Sequence, residues 1–259
     1  MIGTSVWYGH RPFKERFKKL IDLGFEYFEI SMDFPFPEEG IEIEKIIKEF
    51  NIRPAFHAPI EILLASPRNE IFDASKNVLE KCLKFIEKFD PIYFNFHVSH
   101  LTPTFIFPEI RQKGLKNFED AVKLLLSYSE EVGFEVCIEN DMFFSEDFVF
   151  EGLKVTLDVG HLVIDSKRRG EDYKSTLKNF CKKYGKKILV SHLHDVDLES
   201  SLDHLPLGDG DLDLKLLKWF LERIKPKYIS LEIFWKVPYK IFATDFELEK
   251  SLKVLKSFC

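Results

Sequence analysis

Three imidazoles and several carboxylates crowd into residues 186–210, KKILVSHLHDVDLESSLDHLPLGDG. A short apolar run, Ile188, Leu189 and Val190, opens into His192, His194 and Asp195, and a loop then brings Asp203, His204 and a Gly-Asp-Gly. An apolar run of this length reads as a buried strand. Nothing in such a strand needs histidine, whereas imidazole beside carboxylate suits a divalent cation. The segment therefore reads as a strand that ends in metal ligands.

Similar endings recur along the chain. Glu29 lies in FEIS, His57 in FHAP, His97 in FNFH, Glu139 in CIEN, Asp158 and His161 in LDVGH, and Glu232 in SLEIF. Glu139 and Glu232 end the most apolar of these runs, where a carboxylate is costly unless paired or coordinated. Together with Asp158 and His192 they are the expected ligands of a divalent metal. His57, His97, His161 and His204 are expected as additional metal ligands or substrate contacts. His194, two residues past His192 and displaced toward the loop, is expected to support a ligand. His10 and His100 read as loop residues.

Lys167, Arg168 and Arg169, in DSKRRGED, form a basic cluster read as lying on a loop of the catalytic face. It is either a solvated run or an anion site for a substrate phosphate. GDGDLD resembles a phosphate loop only superficially, because acidic residues stand between and beyond its glycines. It reads as a tight turn before a helix from Leu214, with Asp213 as the N-cap.

The elements that must carry these residues alternate. Strands are expected over 2–7, 25–31, 53–58, 92–98, 134–139, 153–159, the run opening at 188, and 228–234. Helices are expected over 12–23, 41–50, 70–89, 115–132, 172–184, 214–224 and 245–258. The segment after the fifth strand is short and rich in Phe and gives no clear helix. Alternation of this kind implies right-handed crossovers and a parallel sheet, and eight units predict a single (β/α)8 barrel domain spanning 1–259. An open doubly wound sheet normally has a glycine-rich turn after its first strand, and here that turn reads TSVWYGHRP. Barrels of this kind place chemistry at the C-terminal ends of the strands, where the residues above fall. Phe34, Phe36 and Phe105, in the loops after the second and fourth strands, are expected at the surface, in a lid or a dimer interface.

Bulk composition narrows the partners. The chain has 259 residues, 45 % of them hydrophobic, enough for a large core, and a formal charge of −6 that disfavours broad nucleic-acid binding. Cys82, Cys137, Cys181 and Cys259 are widely spaced with no C-x-x-C pair, which predicts reduced thiols. The sequence shows no basic, apolar leader after Met1 and no apolar run approaching about eighteen residues. A soluble, cytoplasmic protein is expected, and abundant Lys and Glu predict thermostability.

LDVGH, SHLHD, the HLPLGDGDLD run from His204, and Glu232 in SLEIF together resemble the xylose isomerase-like TIM-barrel superfamily. FHAP, FNFH and CIEN fall in matching order, so the resemblance spans essentially the whole chain. That superfamily holds sugar isomerases and epimerases and the endonuclease IV class of abasic-site nucleases. In the ketose 3-epimerase branch, Glu, Asp, His and Glu bind one cation and the glutamates move the proton. The resemblance places these roles on Glu139, Asp158, His192 and Glu232, with His161 as a substrate contact. It implies a manganese-, magnesium- or cobalt-dependent isomerase or epimerase of a sugar, sugar phosphate or related hydroxy-carbonyl compound, acting through a metal-stabilised enediolate. The nuclease branch uses three zinc ions. His57, His97 and Glu139 resemble one of its sites, the quartet a second, and His161 with His204 most of a third. Two features depart from that branch. Asp203 is adjacent to His204 where an Asp-x-His pair is the pattern, and the loop SMDFPFPEEG is acidic and SHLTPTFIFPEIRQKG mainly apolar, where a grip on the DNA backbone needs several lysines or arginines.

Overall fold

The computed structural model describes residues 1–237 and 240–258. Eight parallel strands close into a barrel: β1 (Ile2–Val6), β2 (Tyr27–Ser31), β3 (Pro54–His57), β4 (Tyr93–His97), β5 (Glu135–Glu139), β6 (Lys154–Asp158), β7 (Ile188–Leu193) and β8 (Tyr228–Leu231), in the order β1-β8-β7-β6-β5-β4-β3-β2. The helices are α1 (Phe13–Leu23), α2 (Ile41–Phe50), α3 (Asn69–Ile86), α4 (Pro108–Val132), α5 (Val159–Arg168), α6 (Tyr173–Tyr184), α7 (Leu214–Ile224) and α8 (Asp245–Lys256). The expected (β/α)8 barrel is the observed fold. None of these helices is long and apolar enough to cross a membrane.

Contacts divide the chain into two compact units, one of residues 1–5, 14–28 and 155–259, the other of residues 6–13 and 29–154. In the second unit the parallel register pairs Phe56 with Phe94 and His97 with Glu139, so the strand-end residues of β4 and β5 lie side by side. Its core is aromatic: Phe96 stacks on Phe118 at 5.7 Å between ring centres, and Phe148 meets Phe118 edge-on at 5.0 Å. Helix α2 buries Ile43, Ile46 and Ile47 and stops at Asn51 in the left-handed region. Helix α4 stops at Gly133, whose φ of 92° suits a residue without Cβ.

In the first unit, register pairs Asp158 with His192 and Ser230 with His192. The loop before α7 is the expected turn: Asp213 accepts the main-chain N–H groups of Lys215 and Leu216. Thr244 and Glu247 form a reciprocal capping box on α8.

The structure departs from the expected elements in several places. The segment after β5 forms only a 3-10 turn at Glu146–Phe148, while two helices, α5 and α6, stand between β6 and β7. Helix α5 stands where the sequence pattern predicts a loop, because it is buried on nearly every side: Val159, Gly160, Leu162, Val163, Ile164, Asp165 and Ser166 are all buried, so no polar face marks its period. Lys167 and Arg168 therefore close a helix and Arg169 caps it. Helix α4 begins at Pro108, seven residues ahead of the expected start, because its first turns are polar. Two hairpins, Asp195–Asp197 with Leu202–Leu205 and Trp235–Val237 with Ile241–Phe242, occupy segments read as loop or strand end. Phe34 is 78 % exposed, but Phe36 and Phe105 are buried, Phe36 against Tyr8 and Phe13, Phe105 against His100 and Phe148. Cys82, Cys137 and Cys181 are buried, and burial pushes the Cys82 and Cys181 thiols up to about 12. Cys259 lies outside the described residues.

Candidate active site

The second unit gathers His57, His97 and Glu139 from the ends of β3, β4 and β5, with one donor atom of each within 4.8 Å of the others. His57 Nδ1 lies 2.8 Å from the Ala58 carbonyl and His97 Nδ1 lies 3.4 Å from Asp141, so both imidazoles turn Nε2 inward. The two Nε2 atoms are 3.0 Å apart and lie 3.4 and 3.5 Å from Glu139 Oε2. Two imidazole lone pairs at that separation require a shared proton or a cation between them. Burial works against the charged form of both histidines, but the carboxylates around them, Glu139 with Glu29 at His57 and Glu139 with Asp141 at His97, more than offset it. The pKa of His57 is raised, and that of His97 stands well above the usual value. Asn95, wholly buried, donates its Nδ2–H to Glu139 Oε2. Imidazoles anchored at Nδ1 with Nε2 aimed at a carboxylate form a donor set that fits a transition-metal cation.

In the first unit, Asp158, His192 and Glu232 at the ends of β6, β7 and β8 present donor atoms within 4.8 Å of one another, and all three side chains are buried. Glu232 Oε2 lies 3.4 Å from His192 Nδ1, while Ser5 Oγ–H donates to Glu232 Oε1 at 2.8 Å. Asp158 accepts the main-chain N–H of His161 at 2.7 Å, so one carboxylate both caps α5 and belongs to this group. His161 and His204 stand beside this group. His204 Nδ1 lies 3.1 Å from the Glu232 carbonyl oxygen, which leaves Nε2 as the lone-pair side, 3.8 Å from Asp203. Burial, reinforced by His194, lowers the His204 pKa to about 4. His161 Nε2 is also 3.8 Å from Asp203. Carboxylates with imidazole, withdrawn from water at strand ends, form a donor set that fits a divalent cation.

Residues 17–258 match the family model of the xylose isomerase-like TIM barrel. The chain belongs to that family. Among solved structures of similar fold, a D-tagatose 3-epimerase-like protein is 16 % identical with a TM-score of 0.75, the match covering 99 % of this chain and 96 % of that one. A D-allulose 3-epimerase from Methylomonas sp. in complex with D-allulose is 14 % identical with a TM-score of 0.77, covering 100 % and 96 %. An IOLI protein with a binding zinc atom is 17 % identical with a TM-score of 0.67, covering 99 % and 97 %. At these identities the likeness is one of fold. No curated protein matches the chain in sequence.

Within this xylose isomerase-like barrel, the residues singled out by type mostly stand at strand ends. His100 lies in a loop, as expected, and stacks on Phe105 at 3.8 Å, whereas His10 is buried at the end of a 3-10 turn, Tyr8–His10, where its Nε2 accepts the indole N–H of Trp7. The basic cluster makes local contacts, Lys167 with the Glu199 carbonyl, Arg168 with Asp165 and Arg169 with Glu171. Sequence reasoning missed the partners that hold the carboxylates. Asn95 and Ser5 are an ordinary amide and hydroxyl inside strands, and only the period-two alternation that turns both inward hinted at a role. Asp141, two residues past Glu139, carried no signal either.

Proposed function

We propose that the chain is a divalent-metal-dependent isomerase or epimerase of a sugar, sugar phosphate or related hydroxy-carbonyl compound. The observation that carries this reading is the set of buried strand-end residues Glu139, Asp158, His192 and Glu232, three carboxylates and one imidazole, which are the ligands this proposal assigns to one cation. Their burial and oxygen-rich chemistry suit manganese, magnesium or cobalt. A bound cation of that kind supplies a Lewis acid that polarises a substrate carbonyl. The rest falls to the chain's own residues. Glu139 and Glu232 remove the proton α to the carbonyl and return it. Asn95 orients Glu139 through Oε2, and Ser5 orients Glu232 through Oε1, so each carboxylate keeps one oxygen fixed. His161 contacts a substrate hydroxyl. The fold likeness to a D-allulose 3-epimerase supports a small sugar as the substrate.

Glu139→Gln and Glu232→Gln should each abolish turnover on a panel of ketoses and aldoses while leaving the unfolding transition in place; full activity in either variant refutes the proton-transfer roles. Solvent deuterium should enter the product carbon, and its exclusion would indicate a hydride shift instead.

A second reading, a zinc-dependent abasic-site endonuclease, is favoured by one observation: the additional imidazole-rich groups, His57 with His97 and His161 with His204. Imidazole-rich groups suit zinc. Cleavage of a duplex carrying a single abasic site, with zinc supplied, discriminates. Metal content does too: one manganese, magnesium or cobalt per chain supports the isomerase, whereas two or three zincs favour the nuclease.

A further inference from the structure

His194 is wholly buried between β6, helix α5 and the hairpin that follows β7. Its Nε2 lies 3.1 Å from both oxygens of Asp158. Its Nδ1 accepts the main-chain N–H of His204 at 2.9 Å. Nδ1 also lies 3.2 Å from the Asp195 carbonyl oxygen, but the amide contact is shorter and a main-chain amide is always the donor, so Nδ1 carries the lone pair and Nε2 carries the hydrogen that Asp158 shares. Both ring nitrogens are thus engaged within the chain, in a ring that also stands with His161 and His204 in a group whose donor atoms lie within 4.8 Å of one another. His204, on the other side of that bond, has a φ of 58°, an uncommon conformation for a residue with a Cβ, and its own ring reaches the Glu232 carbonyl. The sequence has made room for the His194 ring. A Cβ on Gly160 would sit 2.0 Å from its Cε1 and 2.4 Å from its Nδ1.

We infer that His194 is a positioning residue that joins the Asp158 carboxylate to the His204 main chain through its two ring nitrogens, and that Gly160 is glycine in order to admit it. The inference deepens the proposed function and rests on Asp158 being a cation ligand. It makes D-x-G-H and H-x-H one device: the first motif supplies the carboxylate, the space and the helix cap, the second supplies the bridge. One nitrogen orients the Asp158 oxygens, and the other holds His204 in its left-handed conformation with Nε2 toward Asp203.

Two substitutions separate the arms. Asparagine carries its carbonyl oxygen close to the place of Nδ1 and keeps only the acceptor for His204; glutamine carries its amide NH2 close to the place of Nε2 and keeps only the donor to Asp158. Manganese affinity, read by competition with a chromophoric chelator, reports the Asp158 arm. Hydrogen exchange at the His204 amide in chelator-stripped protein reports the other arm with no cation involved. His194→Asn should bind manganese about 10–100-fold more weakly than the parent, the usual cost of losing an outer partner, and keep the His204 amide protected. His194→Gln should stay within about threefold in manganese affinity while its His204 amide exchanges about tenfold faster, the equivalent of one lost hydrogen bond. Equal losses on both readouts in both variants would reduce His194 to a space filler and overturn the inference, as would no loss in either. If the parent protein binds no cation, the proposed function fails on that result alone, and the exchange arm still decides whether His194 holds His204.

Discussion

Replacing Asp195 by asparagine tests the loop that follows the His204 hairpin. The Asp195 carboxylate is wholly buried. Its Oδ1 accepts the main-chain N–H groups of Val196 and Leu212, both at 2.9 Å, and its Oδ2 accepts that of Gly208 at 2.8 Å. The chain closes tightly around it: a Cβ on Gly210 would lie 2.5 Å from Asp195 Oδ1 and 2.3 Å from the Val196 carbonyl. Asparagine keeps the shape and offers one accepting oxygen. Turned the better way, it retains Val196 and Leu212 and sets an NH2 against the Gly208 N–H, donor to donor. Hydrogen bonds to a charged acceptor contribute about 1.5–3 kcal/mol and neutral ones about 0.5–1.5. One bond lost and two weakened therefore amount to a destabilisation of about 3–5 kcal/mol. The assay is urea unfolding of chelator-treated protein at neutral pH, where the midpoint should fall with an unchanged slope. A loss under about 1 kcal/mol would show that the three bonds do not organise this segment and would refute the argument.

Four further outcomes are expected. Gly160→Ala should destabilise the protein by about 1–3 kcal/mol in the same unfolding assay, because overpacking against the fixed His194 ring outweighs the better helix propensity of alanine. Ser5→Ala should lower the turnover number about 10–100-fold, the loss of one hydrogen bond to the charged Glu232, with little change in the unfolding midpoint. In cation-free protein the raised pKa values of His57 and His97 add stability that is complete below about 6.5 and lost as pH rises through the folded values; His204, lowered to about 4, adds stability that is complete above about 6.5 and lost as pH falls toward about 4. Thermal midpoints across pH should thus decline on both sides of neutrality, and His204→Asn should flatten the acidic side only. Calorimetry of zinc binding near pH 7 in buffers of different ionisation enthalpy should show proton release, since the His57–His97 pair must give up its shared proton to bind a metal.

The fold was legible because period decides it. Eight short apolar runs, seven of them followed by 3.6-period segments, leave few topologies open, and a closed parallel barrel is the one observed. The strand-end residues were legible for a related reason. A histidine or carboxylate at the end of an apolar run contradicts its surroundings, as Glu139 and Glu232 do, and that local conflict is visible without coordinates. Helix α5 was not legible, since burial on nearly all sides erases the periodic signal that exposes other helices.

Pairing is what the sequence withheld. Asn95 is 44 positions from Glu139, Ser5 is 227 from Glu232, and His194 is 36 from Asp158, yet each pair is in direct contact. Residue type announces a carboxylate that needs a partner and says nothing of which hydroxyl, amide or imidazole the strand register will bring beside it. Composition and period determined that this chain would build a barrel with histidines and carboxylates at its strand ends. Register and the close approach permitted at Gly160 decided which neighbours hold those residues, because hydrogen bonds are made at about 3 Å between groups that only the closed sheet brings together.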